Sequence, residues 1–427
     1  MGFAKRTILG GAVWVAAFAF LMASAQAQVE LWEGDETYGE VGANLQLMTA
    51  YVDMRDLETF ALLADIPREA GLGGAVGRLE WSFDLGSRVD VDVHNRLFWQ
   101  TSTLPEDLLF QGLGVSAGED RRLSTELELI DGETTQLTHD IDRLVVALYF
   151  GLVDFYVGRQ AIRWGVSDMF TVADRFAPLS PFELDTLQRR GIDAARAVTH
   201  LSPSVELDLV VADRGQGEPL SMGARAEYFG SRIDAYGGVG RFWQRLSTMS
   251  GLSVLVDHYK FFGEAELLWN LDEDQLDRPR ATLGAQRVSM DWQIGAEYHY
   301  NGFGVARDGE YVDALAQPEL ARGETYFLGR HYAGINGFYF TDGGWALGGG
   351  TIANIIDPSV IVFPAIEYEV EAQFSVRAGA YVGFGEGAQL DFGEDMEEPV
   401  APQDAVSLGS EFGAVSDLYF LQMTAFF

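Results

Sequence analysis

Arg159, Arg163, Asp168, Asp174 and Arg175 fall within Val157–Pro181, which reads VGRQAIRWGVSDMFTVADRFAPLSP and interleaves them with Trp164, Phe170 and Phe176. Glu183, Asp185, Arg189, Arg190, Asp193 and Arg196 follow directly. Guanidinium groups beside carboxylates can grip a charged ligand, set a field across a passage, or simply pair with one another. Catalysis would need more. No nucleophile elbow, HExxH helix or phosphate-binding glycine loop accompanies them. The six histidines (His94, His139, His200, His258, His299 and His331) are scattered without metal-ligand spacing. Two acidic runs, Asp272–Asp277 and Asp391–Glu398, lack the regular spacing of a calcium loop and read as solvated loops. We therefore expect no catalytic residue, no metal site and no cofactor. Whether the Arg/Asp stretch filters a solute or only braces the chain depends on the elements that carry it.

Those elements are strands. In Gly74–Leu85 the apolar Leu79, Trp81, Phe83 and Leu85 share one face, while Arg78, Glu80 and Asp84 share the other. After a short turn, Val89, Val91, Val93, Leu97 and Trp99 oppose Arg88, Asp90, Asp92, His94 and Arg96. The same alternation returns in Ser204–Asp213 and Gln293–Asn301. About eighteen such segments follow one another, with sixteen as the alternative count, and helical periodicity is nearly absent. His94 and His299 fall on the polar faces, where solvent is expected.

Connection lengths separate a barrel from a sandwich. Links after even-numbered strands are short: Gly86–Ser87, Gly151, Leu201–Pro203, Gly230 and Asp342–Gly343. Those after odd-numbered strands are mostly long: 54–73, 100–139, 163–190, 271–280, 302–326 and 386–405. Sorting by parity is the layout of an outer-membrane barrel, with tight periplasmic turns and long outer loops. The ending Tyr419–Phe427 alternates apolar residues and stops on an aromatic, which resembles the C-terminal strand read by barrel-assembly machinery.

Lys5 and Arg6, an apolar run Ile8–Met22 and the small residues Ala23, Ala25 and Ala27 form a secretory signal peptide over 1–27. Residues 28–427 are then one barrel domain. The chain has no cysteine, which excludes disulfides, thiolate metal sites and a lipoprotein anchor. Removing Lys5 and Arg6 takes the formal charge from −35 to −37, against nucleic-acid partners and toward cations or cation-bridged lipopolysaccharide. Beyond the signal peptide Lys260 is the one lysine, so the remaining cations are arginines suited to fixed ion pairs.

The connection 163–190 is too long for a tight turn and too apolar for a wet one, with Met169, Phe170, Val172, Phe176, Leu179, Phe182 and Leu184. A barrel of this size encloses an aqueous channel unless something narrows it. Folded into the lumen, this loop would be that constriction. Arg159, Arg163, Asp168, Asp174, Arg175, Glu183, Asp185, Arg189, Arg190, Asp193 and Arg196 would flank it, and Arg78, Glu80, Asp84, Arg88, Asp90, Asp92, His94 and Arg96 would line the lumen. Those charges could select permeants or hold the loop in place; both uses are compatible.

The pattern GRQ-x-I-x-WG at Gly158–Gly165, then T-x-x-D-x-F-x-P-L-S-P at Thr171–Pro181, then R-x-G-I-D-A-x-R at Arg189–Arg196 resembles a largely uncharacterised group of Gram-negative outer-membrane barrels related to alginate-export-type porins. The resemblance covers about forty residues. It implies a monomeric barrel with an internal loop and a transport role, without naming a cargo. A polyanion exporter needs an arginine-lined lumen, whereas here Arg78, Arg88 and Arg96 share their faces with Glu80, Asp84, Asp90 and Asp92, so the lumen reads as mixed to acidic. The expectation is a passive channel for small polar solutes with a cation preference, contacting outer-membrane lipid and lipopolysaccharide. A structural or partner-binding barrel of an envelope complex, or an outer-membrane enzyme, is the alternative.

Overall fold

The computed structural model describes residues 28–34, 37–54, 68–103, 121–178, 180–184, 188–215, 217–371, 373–390 and 406–427. The signal peptide 1–27, the acidic run 391–398, Leu179 and Asp185 lie outside the described residues.

Eighteen antiparallel strands form the wall: β1 (Thr37–Asp53), β2 (Glu69–Leu85), β3 (Val89–Ser102), β4 (Thr135–Tyr149), β5 (Val153–Gln160), β6 (Ile192–Ser202), β7 (Val205–Asp213), β8 (Ser221–Phe229) and β9 (Ile233–Phe242) make the first half. The second half is β10 (Arg245–Val256), β11 (Tyr259–Asn270), β12 (Arg280–Val288), β13 (Trp292–Tyr300), β14 (His331–Phe340), β15 (Trp345–Asn354), β16 (Ser359–Glu371), β17 (Phe374–Phe384) and β18 (Asp417–Phe426). Each pairs with its neighbours in sequence, and β18 returns to β1, with Asn44 opposite Phe426 and Asp53 opposite Asp417. Closure gives each wall strand a neighbour on both sides, as a wall surrounded by lipid requires, while Gln28–Glu33 and Leu127–Gly132 add short one-sided pairings along the ends of β1 and β4.

The outward positions bear the alternating apolar residues read from the sequence. Leu79, Val157, Leu209, Val239, Phe261, Leu283, Ile294 and Ile335 are all exposed on the outer surface. No aqueous protein could carry such a belt over every strand; lipid is its solvent. Aromatics gather at the turn ends of the strands, as with Trp345 and Tyr368, whose ring centroids lie 4.5 Å apart. That is the interfacial girdle of a transmembrane barrel.

The turns follow parity. At Gly86 (φ 80°) and Gly151 (φ 84°) the backbone enters the left-handed region that glycine alone visits freely. On the other side two connections are shorter than expected: Trp243–Gln244 between β9 and β10, and 355–358 between β15 and β16. The predicted strand 406–427 is also divided. Val406–Leu408 pairs with Ala388–Leu390 in a small separate hairpin, residues 409–416 fold back, and β18 begins at Asp417. Glu411, Ser410 and Gly413 break the alternation there, so the apolar pattern that defines β18 starts later than the strand first assigned.

Three long connections turn inward over their described residues: 161–178 with 180–184 and 188–191, then 301–330, then 385–390 with 406–416. The second carries two short helices, α1 (Tyr311–Leu315) and α2 (Pro318–Ala321). The buried core lies where these loops meet the inner wall. One cluster packs Trp164 and Phe176 against Val210, Tyr236, Phe242 and Met249; another packs Phe170, Phe327 and Phe412 against Tyr332, Ile352 and Ile361.

Candidate functional site

Loop 161–191 starts where β5 loses its alternation. Phe155 and Val157 point outward. At Gly158 the φ angle is 122°, and a Cβ there would lie 2.1 Å from the Leu144 carbonyl oxygen. Only glycine fits, and the kink it permits turns both Arg159 and Gln160 to the buried inner side. Arg159 donates to Asp193 through Nε at 2.9 Å and to the Ile141 carbonyl at 2.6 Å, with Asp140 also in reach at 3.4 Å. It clamps the base of the loop.

Asp174 is the hub of the loop itself. Its carboxylate accepts the backbone N–H groups of Trp164 and Gly165, each at 2.7 Å, and Arg189 Nη1 at 2.8 Å. Arg163 stands 3.8 Å away and keeps half of its side chain in solvent. The Trp164 ring lies 4.9 Å from Phe176 at 85°, and its Nε1 donates to Asp208 at 2.8 Å. Arg196 holds the same Asp208 through two bonds of 2.9 Å.

The barrel wall grips the loop by its backbone. Glu297 on β13 accepts the N–H groups of Asp168 (3.1 Å), Met169 (3.0 Å) and Phe170 (3.2 Å). Glu264 on β11 accepts those of Val172 (3.2 Å) and Val166 (3.3 Å), and the Tyr236 hydroxyl at 2.9 Å. Three wall donors take the loop's carbonyls: Arg280 to Val172 (2.8 Å), Thr282 to Phe170 (2.7 Å) and Arg214 to Arg175 (2.7 Å). Further along, Gln422 on β18 donates to the Leu184 carbonyl at 3.2 Å, and Gln188 donates to Glu80 on β2. The loop therefore touches wall strands from β7 through β13 to β18 and β2. It crosses the lumen.

Arg175 joins this loop to 301–330. It is fully buried, with Glu266 of β11 at 3.5 Å and Glu324 hydrogen-bonded to Nη2. Arg280 pairs Glu266 from the other side, and Arg245 spans Asp277 and Glu319. The third loop is latched by Glu411, which accepts the Leu328 N–H (2.8 Å), Asn354 Nδ2 (2.7 Å) and the Tyr332 hydroxyl. Burial away from water, with the Asp357 charge nearby, pushes the Glu411 carboxyl up to about 7 against these hydrogen bonds.

Among the sequence-selected residues, Arg159, Asp174, Arg175, Arg189, Asp193 and Arg196 are brought into ion pairs, while Arg163, Asp168 and Arg190 carry exposed surface. Glu183 is half-buried. Of the lumen set, Arg78 is buried against Asp142, and Glu80 accepts Asn44 at 2.8 Å. Asp92 accepts the Ser82 hydroxyl at 2.7 Å, and Arg96 lies over the Phe98 ring at 4.7 Å. Asp84 and Arg88 are exposed, and Asp90 is half-buried. The expectation that His94 and His299 face lumen solvent is corrected. Both point inward, but loop residues cover them: Gln188 meets His94 at 3.3 Å, and Phe170 stacks on His299 at 5.2 Å and 7°. Of the acidic run in 271–279, Asp277 is bound to Arg245 at 2.6 Å. No group of three metal-ligating side chains stands together among the described residues.

Sequence reasoning missed Asp208, Glu264, Glu266, Arg280, Glu297 and Glu324. Five of them lie on inward positions of ordinary-looking strands, and Glu324 lies in loop 301–330. A charged side chain there is the available signal, because only a loop folded inward could bury it.

A closed eighteen-stranded barrel with a lipid-facing belt and a loop across its lumen is the porin class of fold. Solved structures agree. OccAB3 of Acinetobacter baumannii superposes with a TM-score of 0.55 at 8% identity, covering 91% of this chain and 99% of that one. OccK9 (OpdG) of Pseudomonas aeruginosa gives 0.54 at 10% identity over 90% and 97%. The outer membrane protein OpdK of P. aeruginosa gives 0.52 at 10% over 90% and 98%. The likeness is to Occ and Opd porins and not specifically to the alginate-export type. At these identities it is a likeness of fold. No family model and no curated protein matches the chain.

Proposed function

We propose that this chain is an outer-membrane channel for passive diffusion of small polar solutes, with loop 161–191 setting its narrowest point. One observation carries the reading: the loop crosses the lumen on a backbone held by wall side chains, a geometry that narrows a passage without anchoring a reacting group. Its exposed charges, Arg163, Asp168 and Arg190, are assigned to the passage. The more buried ones, Arg159, Asp174, Arg175, Arg189, Asp193 and Arg196, hold its shape. Half-buried Glu183 is assigned to the same rim.

A cation preference completes the proposal. Asp84, Asp90, Asp92, Asp154, Glu206 and Asp234 project inward in the half of the barrel nearer the short turns, and few arginines join them there. Such a field favours cations by direct attraction. The reading includes export through the leader 1–27, assembly into a Gram-negative outer membrane guided by the C-terminal strand, contact with lipid and lipopolysaccharide, and no catalytic step. A closer kinship with alginate-export-type barrels rests on the motif residues of Gly158–Arg196 alone.

Conductance of the purified protein in planar bilayers is the test. Discrete steps, a reversal potential of cation sign in a salt gradient, and larger steps after deletion of 166–190 are expected. An absence of conductance in both forms refutes the channel.

A further inference from the structure

Below the crossing loop, one sector of the inner wall is built differently from the rest. On β16, β17 and β18, Phe363, Tyr381 and Phe420 form a continuous row: Phe363 and Tyr381 stack at 5.8 Å and 27°, and Tyr381 and Phe420 lie 6.1 Å apart at 30°. Glycines on the neighbouring strands leave the rings room to lie flat. A Cβ at Gly350 would meet the Phe363 ring at 2.6 Å, and one at Gly379 would meet Phe420 at 2.6 Å. Phe182 of the loop packs edge-on against Tyr381 at 6.2 Å, so the row begins where the constriction ends.

Directly beneath the row, Glu367, Arg377 and Gln422 are register partners on the same three strands. All three occupy inward positions, since Ile361 and Phe363 share the face of Glu367, and Tyr381 and Phe420 share those of the other two. Gln422 spends its N–H on the Leu184 carbonyl. Arg377 differs from the arginines of the loop. Among the described residues it has no carboxylate within ion-pair distance; its contact is the Phe420 ring, 5.7 Å from the guanidinium carbon. Glu367 and the Tyr381 hydroxyl likewise have no hydrogen-bond partner among the described residues. A half-buried arginine, glutamate and tyrosine thus stand together beside the Phe363 ring, with Phe420 itself buried, in a molecule that pairs nearly all its buried arginines.

We infer that the Phe363–Tyr381–Phe420 row with Glu367 and Arg377 is a sliding subsite for neutral hydroxylated rings, the pyranose type of sugar. The inference rests on the channel reading and names its solute class. An aromatic face matches the C–H face of a pyranose, through apolar contact and attraction between C–H hydrogens and the ring's negative face. Planar polar side chains at the rim match pairs of adjacent hydroxyls: Arg377 offers a fork of donors and Glu367 two acceptor oxygens. The two charges sit on adjacent rungs and cancel, so an anion drawn to Arg377 meets Glu367, and a cation the reverse. A neutral solute uses both.

Binding is measured separately from conduction. Saturation-transfer NMR on the full chain in detergent, with maltotriose as the neutral probe and benzoate as the charged one, reads the subsite whether or not the pore is open. Maltotriose should bind, with affinity falling about tenfold or more in Tyr381→Ala. Arg377→Gln and Glu367→Gln, which keep side-chain volume and fold, should each weaken it several-fold. Phe340→Ala, at the far end of β14, should change nothing. Absence of maltotriose binding, binding indifferent to Tyr381 and Arg377, or selective binding of benzoate would each overturn the subsite. Maltotriose binding without single-channel steps in either the full chain or its 166–190 deletion would leave the subsite standing and overturn the channel instead.

Discussion

Glu297→Ala tests the claim that the wall holds the crossing loop by its backbone. The substitution removes the acceptor of three amide hydrogens, those of Asp168, Met169 and Phe170, at 3.0–3.2 Å. A hydrogen bond to a charged group is worth about 1.5–3 kcal/mol net, and water entering the vacated site returns part of that. Taking about 1 kcal/mol as the residual loss for each, the three together cost about 3 kcal/mol. The loop stays in the lumen, because Glu264, Arg280 and Asp208 still hold it. Its local opening becomes easier by the same about 3 kcal/mol, which is roughly a hundredfold in opening equilibrium. Hydrogen exchange with mass spectrometry on the detergent-solubilised barrel should show amides 168–170 exchanging roughly a hundred times faster. Those of Val166 and Val172 should change little, and Glu264→Ala should give the reverse pattern. If 168–170 in a heat-modifiable, folded Glu297→Ala barrel exchange at the wild-type rate, the carboxylate is not the staple and the reasoning fails.

Arg175→Met should lower the thermal midpoint by removing one of two arginines from buried Glu266 and the main partner of Glu324, a loss of about 3 kcal/mol, with Arg175→Met/Glu324→Gln recovering much of it. A single variant as stable as wild type would show that the pair is not coupled. Glu411 gives a pH dependence. Its carboxyl titrates at about 7 in the fold against an ordinary 4.5, so the folded protein holds the proton more tightly than the unfolded chain. That contribution is intact below about pH 4.5 and is lost as the pH rises through 7, by about 3 kcal/mol at most. Corrected for the intrinsic pH dependence of exchange, amides 409–416 should be less protected at pH 8 than at pH 5, and Glu411→Gln should flatten the difference; a flat wild-type protection profile would contradict it.

The wall was legible because its physics is local. Lipid outside and water or loop inside impose a two-residue period on every strand, so Leu79, Trp81 and Phe83 declare one face and Arg78, Glu80 and Asp84 the other. Short turns declare themselves by length and glycine, as at Gly86 and Gly151. The loop's inward path was legible too, from its surplus of apolar residues. Its fastenings were not. Glu264, Glu297 and Asp208 alternate like any lumen residue, and nothing within a strand says that a loop from forty or more positions away will supply its hydrogen bonds. Connections 302–326 and 386–405 were read as outer loops and 406–427 as a strand, since the buried contacts Tyr311 to Asp357 and Glu411 to Leu328 join residues distant in sequence. Arg78 and His94 were seen to point inward, but whether an inward residue meets water or protein is decided by those same distant loops.

Glu297 and Glu264 take hold of peptide groups, which every residue except proline offers alike. The exposed residue at 168 can therefore change while the path of the loop stays the same. Evolution can retune what passes through such a barrel by exchanging the exposed side chains of a fixed ribbon, with no need to redesign how the ribbon is hung. Frame and filter are separately heritable traits of a single chain.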